Sequence, residues 1–328
     1  FERMVEEGYD EQLLYEENLN ERYIERYGVV IKNGHDLKSL QDQQGKIKKA
    51  GPKLSKHYAL LRFDGDNMGP WLSKAPDSDK QREFSRILRD FANKAKHYID
   101  EPEQHRGRTI YAGGDDFLAL VNLSALFDVL KKIQTEFETV RQNMPYPNGT
   151  AHFSISTSIL IAHYKTPLQK VVNNSDELLK KTKTALQETG KDGLGMAFMK
   201  KTGFVGELII KNYQLSLLER IFEAISFKPK SKFNSRFIYR FAETFGAWRN
   251  EENRYEHFSE WETQTQLVRT EFRRLMLKEV KKEHKTQMEA LCEDMLSALL
   301  DTNHHRQTIQ LEPLLQAVRI VEALNAEI

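Results

Sequence analysis

Between residues 57 and 210 the chain alternates short apolar runs with amphipathic stretches, and each period predicts an element. His57 to Phe63 (HYALLRF) is a compact apolar run stopped by Asp64-Gly65, a turn signal, and reads as a strand. From Asp79 to Ile99 the apolar residues Phe84, Ile87, Leu88, Phe91, Ala95 and Tyr98 form one helical face. Arg108–Ala112 and Phe117–Val121 are strand-like and flank Gly113-Gly114-Asp115-Asp116, so they read as a hairpin. Ser124–Gln142 is a second helix, with Leu126, Leu130, Ile133, Phe137 and Val140 inward. Phe153–Ala162 is a strand. Pro167–Leu186 is a helix with its proline near the start, where a missing N–H costs nothing. Gly193–Met199 is the last strand of the series.

Outside this region the periods are helical only. Leu13, Leu14, Tyr15, Leu19, Tyr23 and Ile24 recur at roughly helical spacing in an acidic segment, and residues 32–56 are polar, a short helix and a linker. Beyond 211, Phe233, Phe237, Phe241 and Phe245 lie four apart ahead of Trp248. Heptad-like stretches then run from Tyr255 to Leu300, and a last helix spans Leu311–Asn325. The expected fold class is α+β. A ferredoxin-like palm of the polymerase and nucleotide-cyclase type occupies 57–210, because its element order opens with the split βαβ pattern. An all-α domain follows at 211–328.

Composition narrows the class. At 328 residues the chain can bury a core without disulfides, and a charged fraction of 30% suits a soluble globular protein. No apolar stretch approaches the roughly 20 residues a membrane span needs, and no signal peptide is visible, so a cytoplasmic protein is expected. One cysteine, Cys292, forms no internal disulfide and no Cys-based zinc site. It lies in an apolar helical run and is expected to be buried. With 49 basic and 48 acidic residues there is no global field for nucleic acid, so any such contact must come from a local patch or from partners.

The chemistry concentrates in FDGDNMG (63–69) and YAGGDDF (111–117). In a ferredoxin-like sheet the first strand and the hairpin are central neighbours, so Asp64, Asp115 and Asp116 meet at one end of the sheet. Packed carboxylates repel unless cations neutralise them, and hard oxygen ligands select Mg²⁺ or Mn²⁺. Two ions about 4 Å apart can activate a 3′-hydroxyl and stabilise a leaving pyrophosphate. Gly113 and Gly114 allow a tight turn and close approach of backbone to phosphate. Gly65 can offer its carbonyl to a metal, and the N–H groups of Asp66, Asn67 and Met68 can form an anion nest. Asp66 is either a further metal contact or a turn cap. Lys191, in TGKDG before the last strand, is placed to hold a triphosphate. Ser85 is read either as facing the nucleotide or as an ordinary helix residue.

FDGDNMGPWLS, REFSRILRDFA, YAGGDDFLALV, SISTSILIAHYKTPL and GKDGLGMAFMKKTG occur in this order. The series resembles the second palm domain of the large subunit of type III CRISPR effector complexes, in its Cmr-type branch, over 57–203. The tail 211–328 is similar to that family's C-terminal helical domain. LLYEENLNERYIERYG resembles the end of its preceding helical domain, which makes 1–56 the tail of such a domain. The resemblance implies joining of ATP through 3′–5′ linkages into cyclic oligoadenylates once target RNA is bound, in antiviral defence. It implies metals on Asp64, Asp115 and Asp116, triphosphate held with help from Gly113, Gly114 and Lys191, and adenine beside Ser85. The implied partners are other subunits of a CRISPR ribonucleoprotein, guide RNA and target RNA, with no membrane. The family often has an HD nuclease domain and a first palm upstream. Neither is visible, and with Phe1 at its start the chain reads as a fragment.

Weaker signals have plain alternatives. Lys228, Lys230, Lys232, Arg236, Arg240 and Arg249 interleave with aromatics, which is either an RNA patch or a solvated face over a phenylalanine core stripe. His163 and Lys165 either line the nucleotide site or simply end a strand. His35-Asp36 lacks the companions of a nuclease motif, and adjacent His304-His305 point apart on a helix. Two other functions compete. A diguanylate-cyclase-like enzyme shares the palm, but the turn here is GGDDF and RTIY (108–111) lacks the Arg-x-x-Asp such cyclases often carry. A silent scaffold is disfavoured by the intact carboxylates.

Overall fold

The computed structural model describes residues 20–25, 37–39, 41–42, 55–73, 75–144, 153–200, 203–225, 235–245, 261–278, 280, 282–300 and 311–327. The chain divides into two compact units, Phe1–Ser55 and Lys56–Ile328. In the first, the described residues include one helical turn at Glu21–Ile24. Most of the acidic N-terminal segment, His35-Asp36, Lys228, Lys230, Lys232, Phe233, Trp248, Arg249 and His304-His305 lie outside the described residues.

The second unit is built on a six-stranded sheet of order β2-β3-β1-β4-β5-β6. The strands are β1 (His57–Asp66), β2 (Gly107–Ala112), β3 (Asp116–Val121), β4 (Ser154–His163), β5 (Gly193–Lys200) and β6 (Gly203–Lys211). β1 is antiparallel to both β3 and β4, which is the ferredoxin-like arrangement. β4 and β5 are parallel, joined by a helical crossover, and β6 returns antiparallel to β5. β6 is a strand that the apolar pattern did not predict. Its odd positions stay half-exposed while Gly206, Leu208 and Ile210 are buried.

Helices α1 (Met68–Ser73), α2 (Ser78–Asp100), α3 (Leu126–Gln142) and α4 (Leu168–Ala185) connect these strands. Asp77 caps α2 by accepting from Lys80 N at 2.8 Å. The strand period of two splits the sheet into two faces. Ala59, Leu61 and Phe63 of β1 pack with Phe84, Phe91, Ile133 and Phe137 of α2 and α3 in the main core. Leu60, Leu160 and Ala197 meet Val171 and Leu178 of α4 on the other face.

Among the described residues five more helices follow: α5 (Leu215–Ile225), α6 (Arg236–Thr244), α7 (Trp261–Leu277), α8 (Lys285–Leu299) and α9 (Leu311–Glu327). They share a second core in which Phe237, Phe241 and Phe245 are buried, so the described part of the phenylalanine stripe is packing. Arg236 and Arg240 lie exposed on α6. Cys292 is fully buried, and burial pushes its thiol up to about 12. Among the described residues no helix is long and apolar enough to cross a membrane.

Candidate functional site

Three facts of register assemble the site. On one face of the sheet Phe63 stacks on Phe117 across β1 and β3, with ring centroids 4.8 Å apart. The next pair along the same strands is Asp64 opposite Asp116, turned to the other face. A slip of one residue would break the aromatic pair and bury the aspartates, so apolar packing fixes where the acids stand. Arg62, Asp64 and Asp66 alternate with the core residues of β1 and therefore face α4 together with Asp116.

The hairpin between β2 and β3 supplies the third acid. Gly113 N donates to Asp116 O at 2.9 Å and closes the turn. Gly114 adopts a φ of 105°, which disfavours any residue with a Cβ, and packs on Leu88 of α2. Gly65 N donates to Asp115 O at 3.0 Å, which ties the hairpin tip to β1. The backbone thus brings Asp64, Asp115 and Asp116 to one end of the sheet. The side chains do not converge: among the described residues no three His, Cys, Asp or Glu groups form a metal-ready cluster.

Basic groups stand beside the acids instead. Lys183 Nζ, from the last turn of α4, bonds Asp64 Oδ2 and donates to Gly65 O at 2.9 Å. Its distance to Asp66 Oδ1 is 3.4 Å. The Gly65 carbonyl expected to serve a metal therefore serves an ammonium here. Arg62 Nη1 bonds Asp176 of α4, while its Nε lies 3.5 Å from Asp116 Oδ1. Asp116 Oδ1 and Arg62 Nε are both buried without a hydrogen bond. Burial raises the Asp116 carboxyl above the usual range, the nearby Arg62 lowers it, and Asp64 and Asp115 raise it further. Beyond the Arg62 ion pair, the buried Asp116 Oδ1 has no hydrogen bond, and such an unsatisfied carboxylate oxygen is the ligand type a hard divalent cation takes.

Asp66 is neither a turn cap nor an open ligand. β1 continues through Asp64-Gly65 because β4 pairs with it as far as Asp66 opposite Ser154, so the expected strand end at Phe63 is corrected. Asp66 is fully buried. Its Oδ2 accepts from Ser154 Oγ at 2.7 Å, Ser156 Oγ at 2.9 Å and Asp192 N at 3.2 Å. These bonds occupy the carboxylate and tie β1, β4 and the loop before β5 together.

That loop carries Lys191. Gly190, Lys191 and Asp192 are consecutively left-handed, with φ of 83°, 58° and 55°. Asp192 Oδ1 accepts from Asn212 Nδ2 at 2.8 Å and pairs with Arg141 Nη2 at 3.3 Å. Lys211 Nζ bonds the carbonyls of Thr189 and Lys191. So held, Lys191 Nζ donates to Asn67 Oδ1 at 2.9 Å, beside the acidic end of β1. Ser85 stays exposed on α2, its hydroxyl donating to Gln81 O at 2.9 Å.

His163 and Lys165 belong elsewhere. His163 pairs with His57 at the opposite end of β1, seven residues from Asp64, or about 23 Å at the usual rise per strand residue. They end a strand and do not line this site. Lys183, Arg62, Asp176 and the serines of β4 lie outside the motifs that marked the acids. Arg62 had a signal, a lone cation in an apolar run. Lys183 had none, being one of three lysines in KKTK.

The sheet order, the GGDD hairpin and the acid on β1 define a palm domain. Residues 57–195 match the family model of the second palm domain of Cas10/Cmr2. The CRISPR system Cmr subunit Cmr2 of Pyrococcus furiosus is 30% identical over 222 residues, 59% of this chain and 24% of that protein. The CMR subunit Cmr2 of Saccharolobus solfataricus is 34% identical over 99 residues, 26% of this chain and 10% of that protein. Over this region the chain belongs with Cmr-type type III CRISPR large subunits, and it spans about a quarter of the length of the Pyrococcus furiosus relative. Among solved structures, a Csm1–Csm4 cassette in complex with one ATP aligns with TM-score 0.49 and 14% identity, over 82% of this chain and 36% of that one. Csm1 from T. onnurineus aligns with TM-score 0.47 and 14% identity, over 82% and 38%.

Proposed function

We propose that this palm joins ATP through 3′–5′ linkages into cyclic oligoadenylates when a cytoplasmic Cmr-type complex, with its guide RNA, has bound target RNA. The observation that carries the reading is Asp64 standing opposite Asp116 in register, with the Asp115 turn pinned to Gly65 and the Asp116 Oδ1 oxygen buried without a hydrogen bond. Two hard divalent cations, Mg²⁺ or Mn²⁺, would supply activation of a 3′-hydroxyl and charge relief for departing pyrophosphate. Asp64, Asp115 and Asp116 would hold them. Gly113 and Gly114, lacking side chains, would let the hairpin backbone approach a phosphate. Lys191, aimed by its left-handed loop, would leave Asn67 for the triphosphate, and Ser85 would lie toward the adenine. In the domain plan, 1–56 ends a preceding helical domain, 57–210 is the palm and 211–328 is the C-terminal helical domain.

The test uses the full complex with labelled ATP or GTP, Mg²⁺ or Mn²⁺, with and without target RNA. Products are read by mass spectrometry, with an Asp115→Ala, Asp116→Ala double variant as control. Cyclic adenylates that need target RNA and vanish in the variant are expected. A cyclic dinucleotide from GTP without RNA would replace this reading with a diguanylate cyclase. Bound nucleotide without product would leave a scaffold.

A further inference from the structure

The acids of this palm are held by a cation that belongs to the protein. We propose that Lys183 is the resident counter-ion of the metal site, occupying donors that an incoming divalent ion needs and so coupling metal entry to nucleotide entry. The inference rests on the reading of Asp64, Asp115 and Asp116 as metal-holding residues.

Lys183 has three oxygen neighbours. It bonds Asp64 Oδ2, donates to Gly65 O at 2.9 Å, and lies 3.4 Å from Asp66 Oδ1. Of these, the Asp64 carboxylate and the Gly65 carbonyl are oxygens of the kind a hard divalent ion selects, while Asp66 is already held by Ser154 and Ser156. The two cations cannot share them. An ammonium hydrogen bond spans about 2.9 Å and uses a donated proton. A Mg²⁺ ligand must lie at about 2.1 Å with its lone pair free.

The placement is built. Lys183 lies seven residues after Asp176 on α4, two helical turns along the same stripe. Asp176 meets Arg62, and Lys183 meets Asp64 two residues further along β1. The lysine stands in the last turn of its helix, where the carbonyl ends favour a cation. Its side chain is 19% exposed, against 39% for Asp64. Asp66 is fixed by Ser154, Ser156 and Asp192 N, so it cannot follow a departing ammonium, whereas Asp64 can turn toward Asp115 and Asp116. This accounts for acids that share one end of the sheet yet do not converge: Asp64 is drawn to α4.

A consequence is linkage. Metal alone must displace the ammonium, which then loses its oxygen partners. A triphosphate offers it new ones, so metal and nucleotide should each strengthen the other's binding by the same factor.

The test is a Mn²⁺ titration of the purified chain, read by the paramagnetic resonance of free Mn²⁺, with and without a non-hydrolysable ATP analogue. Lys183→Met should bind Mn²⁺ alone about tenfold more tightly than the wild type, a modest effect for removing a unit charge beside a divalent ion. It should also lose most of the enhancement the analogue gives. Lys183→Arg, which keeps the charge, should stay near wild-type affinity. Lys183→Gln gives the same reading where Lys183→Met does not fold, as judged by circular dichroism. Unchanged or weaker Mn²⁺ binding by a folded, uncharged variant would overturn the inference and leave the carboxylate site standing. Wild-type Mn²⁺ binding by the Asp115→Ala, Asp116→Ala variant would remove the site reading itself, and this inference with it.

Discussion

At the scale of single residues, charge decides the site, and charge has a stability consequence. Asp116 has a raised carboxyl, held up mainly by burial and by Asp64 and Asp115. An acid whose folded pKa lies above its unfolded value lowers stability as pH rises from the unfolded value through the folded one. Ionised Asp116 therefore strains the metal-free fold at neutral pH. Asp116→Asn should raise the melting temperature of metal-free protein at pH 7 while abolishing the proposed cyclic-adenylate formation. As pH falls well below about 3.9, the ordinary aspartate value, the side chain becomes protonated in both states and that gain should disappear. A thermal-melt series across pH checks both the sign and the window. The acids themselves were legible in the sequence, because FDGDNMG and GGDD place carboxylates at strand ends with glycines beside them. Their neutralising partners were not. Nothing in KKTK marks Lys183, since only the crossing of α4 over β1 chooses it.

At the scale of elements, close approach matters more than propensity. α4 lies so near β5 that a Cβ on Gly195 would fall 2.1 Å from Thr182 Oγ1 and 3.2 Å from the Leu178 side chain. Both neighbours are buried and cannot retreat. Gly195→Ala should cost about 1–3 kcal/mol, the usual cost of overpacking a tight core. Adding Thr182→Ala should recover part of it, and urea unfolding of the single and double variants measures the coupling. The same scale shows where periodicity sufficed. α2, α3 and α4 appear within one or two residues of their expected ends, because an apolar stripe is a local property of the chain. Two elements exceeded the pattern. β1 runs past Asp64-Gly65, because β4 offers it hydrogen bonds to Asp66. β6 escaped notice because Gly203, Gly206 and Glu207 dilute its apolar run, and it becomes a strand through pairing with β5.

At the scale of the molecule, the last helix completes the sheet. Ala317, Ile320 and Leu324 of α9 belong to the main core alongside β5 and β6. Gln316 Oε1 accepts from Glu207 N at 3.2 Å, satisfying a donor on the last strand. α9 also joins the helical core through Leu314, Leu315, Val318 and Val321, so one helix serves both. Ile320 is fully buried there. Ile320→Ala should cost about 2–5 kcal/mol and loosen β5 and β6, although more than a hundred residues separate it from them. Amide hydrogen exchange localises the effect: faster exchange confined to α7 and α8, with β5 and β6 unchanged, would contradict this account.

The sequence by itself determined the periods, the acids and the glycines. Those are local, since a stripe, an alternation or a turn depends on neighbours within a few residues, and from them the palm could be read. Tertiary structure alone decided which face the acids share, that Lys183 and Arg62 answer them, that Asp66 is a fixed strut, and that a distant helix closes the sheet. Each of those joins residues far apart in the chain, and such pairs are chosen by packing and by the need of every buried charge for a partner.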